Sequence, residues 1–202
     1  MKEKNQREQN DIKVNKEQDS GLLLYLHDFV TWLVVIVLVF LLVFRVVVVS
    51  GGSMNQTLQH GDYLLLINNI FYFEPKQGDI IVASKNSFKD GEPIIKRVIA
   101  TEGQWVDIDF EEGIVYVNGN PLEESYVNTP TNLDEGVSFP IMVDEGCVFA
   151  LGDNRNASKD SRSLEIGQID KREILGKAIF LFLPGKDPVT EEMNFKRIGA
   201  LS

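Results

Sequence analysis

The chain has 202 residues, a net charge of −10, one cysteine and two histidines. That length accommodates one membrane segment and one domain of ordinary size. A single cysteine excludes an intrachain disulfide, and the acidity argues against a nucleic-acid partner, which would favour a basic patch.

Residues 1–21 are polar and of mixed charge, without apolar periodicity, and read as a flexible tail. An apolar tract follows over residues 22–49. Its core, Phe29–Phe44, has no charged residue, and Asp28 and Arg45 lie at its edges. With its apolar flanks the tract reaches the roughly 20 residues that a spanning helix requires. It is longer than the core of a cleavable signal peptide, and residues 1–28 precede that uncharged core, so the reading is an uncleaved anchor. Lys2, Lys4, Arg7, Lys13 and Lys16 precede the tract, whereas after its core only Arg45 comes before Lys76. This asymmetry places the N-terminus in the cytoplasm and the remainder outside.

Short segments rich in β-branched and aromatic residues then predict strands at Tyr63–Ile67, Asp79–Ala83, Ile94–Ala100, Trp105–Asp109, Ile114–Val117, Cys147–Leu151 and Lys177–Leu183. Gly-Asp, Asn-Gly and Pro-Gly pairs punctuate them. Trp105–Val117 reads as a hairpin turning at Glu111-Glu112-Gly113. Residues 123–140 show no pattern and read as an extended loop. Ile70–Phe73 reads equally as a segment dipping into a membrane surface or as a core strand. Cys147, in an apolar run, reads as a small core residue. The fold class is therefore mainly β: an antiparallel curled-sheet or barrel-like domain over residues 50–186, behind one N-terminal transmembrane helix. Residues 187–202 read as a polar tail.

Three segments carry candidate chemistry. Ser53 follows the anchor closely, after Gly51-Gly52. A serine beside glycines is commonly a turn residue, and it becomes a nucleophile only with a base. Of the two histidines, His27 lies at the cytoplasmic end of the anchor. His60, in a turn-like Gln-His-Gly-Asp, is the base that a Ser-His-Asp triad would have to use. Lys96 sits in Pro-Ile-Ile-Lys-Arg-Val-Ile, sharing one strand face with Ile94 and Val98. Its reference pKa is about 10.4, and burial would lower it towards a working base. An edge lysine that reaches water by its long stem is the equal alternative. The third segment, Gly152–Arg162, is a dense polar run that would otherwise read as a surface loop with local Asp–Arg pairs.

Together these segments resemble the motifs of bacterial type I signal peptidases. Ser53-Met54-Asn55-Gln56-Thr57-Leu58 matches the family's S-M-x-P-T-L except that Gln56 replaces proline. Lys96-Arg97-Val98 matches K-R-V. Gly152-Asp153-Asn154-Arg155, Ser158 and Asp160-Ser161-Arg162 match G-D-N-R-x-x-S-x-D-S-R in full, and Pro75–Val82 resembles the P-x-x-G-D strand. The resemblance runs from residue 29 to about 184. Ala100 and Glu102 depart from the glycine and proline often found after K-R-V-I, and Gly51 stands where some relatives carry an oxyanion-hole hydroxyl.

The resemblance implies a membrane-anchored Ser/Lys endopeptidase with Ser53 as nucleophile and Lys96 as general base. Ser158 would orient the Lys96 amine. Asp153, Arg155, Asp160 and Arg162 would hold their loop by ion pairs, with Arg97 nearby and Met54 packing beside the site. The implied substrates are secreted preproteins with signal peptides, carrying small residues at minus three and minus one. The implied setting is the cell membrane of a bacterium, with a domain most similar to Gram-positive members. The lipid bilayer and the secretion machinery are the expected partners, and neither a metal nor an organic cofactor is required. A dedicated peptidase for a narrow client such as a pilin precursor, or a non-catalytic anchored β domain, are the alternatives. The latter would place Ser53 and Lys96 far apart.

Overall fold

The computed structural model describes residues 2–187 and 190–201, with side chains from residue 23 onward and residue 89 excluded. Helix α1 runs without interruption from Lys2 to Val43. Its Leu23–Val43 stretch is long and apolar enough to cross a membrane, about 32 Å at 1.5 Å per residue. Side chains from Leu23 to Leu42 are exposed within the structure, as a lipid-facing helix requires. The expected flexible tail is thus helical in its described part. Its run of Lys, Glu, Gln and Arg has high helix propensity, and no glycine or proline interrupts it before Gly21.

The anchor ends earlier than its apolar tract. Phe44–Val48 is strand β1, paired antiparallel with β2 (Tyr63–Asn68) from Phe44↔Ile67 to Val48↔Tyr63. Consecutive valines are stiff at χ1 and favour the pleated surface once a partner strand is at hand. The compact β unit accordingly begins at Val43, not at residue 50.

The remaining strands are β3 (Ile80–Ser84), β4 (Pro93–Thr101), β5 (Trp105–Asp109), β6 (Ile114–Val117), β7 (Asn120–Pro121), β8 (Ile141–Met142), β9 (Cys147–Leu151), β10 (Ile169–Asp170), β11 (Ile174–Leu183) and β12 (Gly199–Ala200). They form two antiparallel sheets. One has the order β1-β2-β11-β3-β4-β9-β10, with β12 also on β11; the other runs β7-β6-β5-β8. Register shifts in β4 and β11 bend the larger sheet. Its two ends, β1 and β10, do not pair with each other, so the curled sheet stays open rather than closing as a barrel. Gly176 lets β11 cross β2 closely, since a Cβ there would lie 2.2 Å from the Ile67 carbonyl oxygen.

Apolar alternation explains the core. In β9, Val148 and Ala150 face one cluster with Ile81, Val98 and Ile169, while Phe149 and Leu151 face another with Ile99, Val106 and Val115. Cys147 is half-buried beside the latter cluster, and burial, followed by the charges of Asp170 and Asp144, pushes its thiol pKa up. A third cluster joins Val49, Met54, Leu58, Leu64 and Leu66.

Ile70–Phe73 is not a core strand. Asn69–Phe71 forms a 3-10 turn in which Ile70 and Phe71 are exposed, as is Phe73. Only Tyr72 turns inward, donating its hydroxyl to Asp79 at 2.6 Å, and Asp79 also binds Lys177 Nζ at 2.5 Å.

The C-terminal segment, expected as a polar tail, belongs to the β unit in its described part. β12 pairs with Phe180 and Leu181 of β11, and Leu201 packs on the Met54–Leu58 cluster. Arg197 binds both oxygens of the fully buried Asp62, at 2.8 and 2.5 Å. It also donates to Gln59 Oε1 and to the Thr57 carbonyl. An arginine that looks like tail polarity in sequence is thus the counter-ion of an interior carboxylate. Arg197→Ala is expected to destabilise the protein by about 3 kcal/mol, because it strands that carboxylate. Thermal unfolding of the detergent-solubilised full chain measures it, with Asp62→Asn/Arg197→Ala recovering part of the loss.

Candidate active site

Ser53 sits just after β1, at the start of a compact turn. The Asn55 amide bonds the Gly52 carbonyl, and the Leu58 amide bonds Met54. Met54 and Leu58 are buried and pin the turn to the core, so Ser53 is held at its edge. Lys96 comes from β4, opposite Ile81 of β3, and is only 3% exposed. Its Nζ lies 2.8 Å from Ser53 Oγ and 3.1 Å from the Ile95 carbonyl oxygen. The first distance is within direct proton-transfer reach. His60, the competing base, instead accepts the Gly51 amide at its Nδ1 (3.2 Å).

The third segment leaves β9 and folds back over the turn that carries Ser53. The Asn154 amide donates to the Ser53 carbonyl at 3.0 Å, and Asn154 Nδ2 donates to the Gly52 carbonyl at 2.9 Å. A Cβ on Gly152 would lie 2.1 Å from Ser158 Oγ and 2.5 Å from the Ser53 carbonyl oxygen, so glycine is what permits this approach. Ser158 is buried against this turn. Its Oγ has no hydrogen-bond partner among the described residues. The expected bond from Ser158 to the Lys96 amine is therefore not formed: the serine is seated against Gly152 and the Ser53 backbone instead.

The charged residues interlock. Asp153 accepts Arg97 Nε and Nη2 at 3.0 and 2.9 Å, and Thr57 Oγ1 at 2.6 Å. Arg97 also donates to the Gly78 carbonyl at 2.9 Å. Asp160 and Arg162, both fully buried, pair through two bonds of 2.9 Å. Asp160 accepts the Gly152 amide at 3.0 Å. Arg162 reaches the Arg155 and Leu133 carbonyls. Arg155 looks outside its own loop, to Glu124 and Thr131, while its Nε donates to the Gly152 carbonyl. Burial opposes the Arg155 charge, but the bonded Glu124 carboxylate outweighs it and raises the guanidinium pKa above its ordinary value.

A groove of about 520 Å³ opens beside Ser53 and Lys96. It is lined by the end of β1 and the Ser50–Met54 turn, by Glu92–Lys96, and by Phe88 and Ala157. Among the described residues, no group of three or more His, Cys, Asp or Glu side chains is arranged to hold a metal ion.

The sequence model of the family described as signal peptidase, peptidase S26, matches residues 22–183. The chain belongs to this family. It is similar to the probable signal peptidase I-1 of Synechocystis sp., 38% identical over 143 residues that make up 67% of this chain and 69% of that protein. It is also similar to the signal peptidase I of Bacillus caldolyticus, 37% identical over 159 residues covering 72% and 83% of the two chains. A crystal structure of a signal peptidase I from Enterococcus faecalis V583 aligns with 52% of this chain and 96% of its own, at 29% identity and a TM-score of 0.42.

As a signal peptidase of this family, the protein is a serine endopeptidase. Several residues that shape the signal peptidase site escaped the sequence reading. Thr57 and Asn154 lie inside the matched motifs, yet their partners, Asp153 and the Ser53 backbone, are distant in sequence. Glu124 and Tyr126 lie in the patternless loop. The departures at Gln56, Ala100 and Glu102 remove none of the groups around Ser53. Ala100 is buried in the core, and Glu102 faces outward, where it pairs with Lys171 at 2.9 Å.

Proposed function

We propose that Ser53 and Lys96 are the catalytic dyad of a membrane-anchored signal peptidase that cleaves preproteins at the outer face of a bacterial cell membrane. The single observation that carries this is the 2.8 Å approach of Lys96 Nζ to Ser53 Oγ beside an open groove. Neutral Lys96 takes the Ser53 proton as Oγ attacks the scissile carbonyl. The oxyanion is met by the Ser53 backbone N–H and a neighbouring amide, a contribution worth about 10²–10³ in rate per donor. Protonated Lys96 delivers its proton to the leaving amine. It then activates the water that hydrolyses the acyl-enzyme.

Asp153, Arg97, Asp160, Arg162 and Arg155 serve as the frame, Met54 as packing, and Ser158 as a hydroxyl seated beside the nucleophile's backbone. An extended substrate with small residues at minus three and minus one fits a groove walled by strand edges. The Lys/Arg asymmetry about α1 supports a cytoplasmic N-terminus, with the β unit from residue 43 outside. Exposed Val46, Val48, Tyr63 and Phe182 on adjoining strands, together with Ile70, Phe71 and Phe73, support contact with the bilayer. Substrates emerging from the secretion machinery would meet the groove there.

The test is the purified full chain in detergent with a radiolabelled preprotein. Cleavage should follow a small residue, as read by mass spectrometry of the new N-terminus, and Ser53→Ala should be inactive with an unchanged melting curve. Cleavage by Ser53→Ala at the wild-type rate refutes the dyad.

A further inference from the structure

Residues 122–140, between β7 and β8, form almost no regular structure, yet Glu124, Tyr126 and Thr131 reach the frame around the dyad, Thr131 by accepting Arg155 Nη1 at 2.8 Å. The Tyr126 ring lies under the Arg97 guanidinium, with Cζ 3.9 Å from the ring centroid. Its hydroxyl donates to Glu124 Oε1 at 3.0 Å. Glu124 in turn takes both terminal nitrogens of Arg155, with Nη1 2.8 Å from Oε2. Arg97 follows Lys96 in β4 and bonds Asp153. Arg155 donates to the carbonyl of Gly152, the residue packed on the Ser53 carbonyl and Ser158. One short segment therefore touches the neighbour of the lysine and the support of the serine, and a single hydrogen bond joins the two contacts.

We propose that Glu124 and Tyr126 are positioning residues that set the separation of Lys96 and Ser53. Tyr126 acts through Arg97, and Glu124 acts through Arg155 and Gly152. The inference rests on the dyad reading above. Two physical points support it. A guanidinium over an aromatic face is attracted to it and held in plane, most strongly where water is excluded. Burial, and then the adjacent Glu124 charge, push the Tyr126 hydroxyl pKa upward, so the phenol stays protonated and remains the donor in this bridge. A displacement of about 1 Å at a reacting pair costs about 10²-fold in rate, so a frame that holds 2.8 Å matters to kcat more than to substrate binding.

The experiment uses the full chain in detergent and the same preprotein. Tyr126→Phe keeps the ring, Tyr126→Leu removes it, Glu124→Gln keeps shape without charge, and Val106→Ala loosens the core away from the site as a stability control. Melting temperature, kcat, KM and the pH profile of kcat/KM are measured for each. Tyr126→Leu and Glu124→Gln are expected to lose about 10- to 100-fold in kcat, with KM within about threefold. The acid limb of the profile should shift as Arg97 moves relative to Lys96. Tyr126→Phe should retain most of the rate, and Val106→Ala should melt earlier while keeping wild-type kcat below its transition.

Wild-type kcat and pH profile in folded Tyr126→Leu and Glu124→Gln overturn the proposal, whatever their melting temperatures. If Tyr126→Leu does not fold, Glu124→Gln alone decides by the same criterion. Failure of the dyad itself reads differently: Ser53→Ala would stay active, while the loss of kcat in the Glu124 and Tyr126 variants would still be measured against the wild type.

Discussion

Lys96→Met and Lys96→Arg should each lower preprotein cleavage by about 10⁴-fold or more, the scale seen when one member of a catalytic unit is removed. Methionine keeps the length of the lysine stem in a site that is 3% exposed, but it has no nitrogen to accept the Ser53 proton. Arginine keeps a nitrogen and a positive charge, yet the guanidinium does not give up its proton near neutral pH. A purely electrostatic role would spare Lys96→Arg, and a purely structural role would spare Lys96→Met; a general base is lost in both. The wild-type kcat/KM should also rise with pH as the amine becomes neutral, since only that form accepts the proton. Initial rates across pH, alongside melting curves for the two variants, check this. Cleavage by Lys96→Arg near the wild-type rate would move attention to His60, which bonds Gly51 two residues before the nucleophile.

Asp153→Ala should produce the largest loss of stability, about 3–5 kcal/mol. Asp153 is 1% exposed and Arg97 2%, and two hydrogen bonds of 3.0 and 2.9 Å join them. Removing the carboxylate leaves a guanidinium in the interior with its main counter-charge gone, and also deprives Thr57 of its acceptor. The cost of the missing partner, rather than the net worth of the pair, sets this magnitude. Because Arg97 follows Lys96 and Thr57 lies in the turn that carries Ser53, the folded remainder should also lose kcat. Urea or thermal unfolding of the full chain gives the first quantity and single-turnover cleavage the second. A change below about 1 kcal/mol, the range of exposed pairs, would show that Arg97 finds water when Asp153 is gone.

Much of this molecule is readable without its structure, for a local reason. Val148–Leu151 alternates between two core clusters, so a strand is written into four consecutive residues. Leu23–Val43 declares itself by apolar length. Ser53, Lys96 and the Gly152–Arg162 run each sit in a contiguous motif. The sequence by itself thus determined the family and the mainly β class, and it singled out the two residues proposed above as the dyad.

Tertiary structure decided what depends on a distant partner. Val46–Val49 is as apolar as the anchor before it, and only pairing with Tyr63–Ile67 makes its first residues a strand and ends the helix at Val43. Arg197 reads as tail polarity until Asp62, 135 residues away, is found buried beneath it. Glu124 reads as loop charge until Arg155, 31 residues on, closes on it. Ser158 matches its motif, yet packing against Gly152 rather than motif position sets where its hydroxyl lies. A buried charge must find its counter-charge wherever the fold brings one, and hydrophobic periodicity, which acts between neighbours, carries no record of that choice.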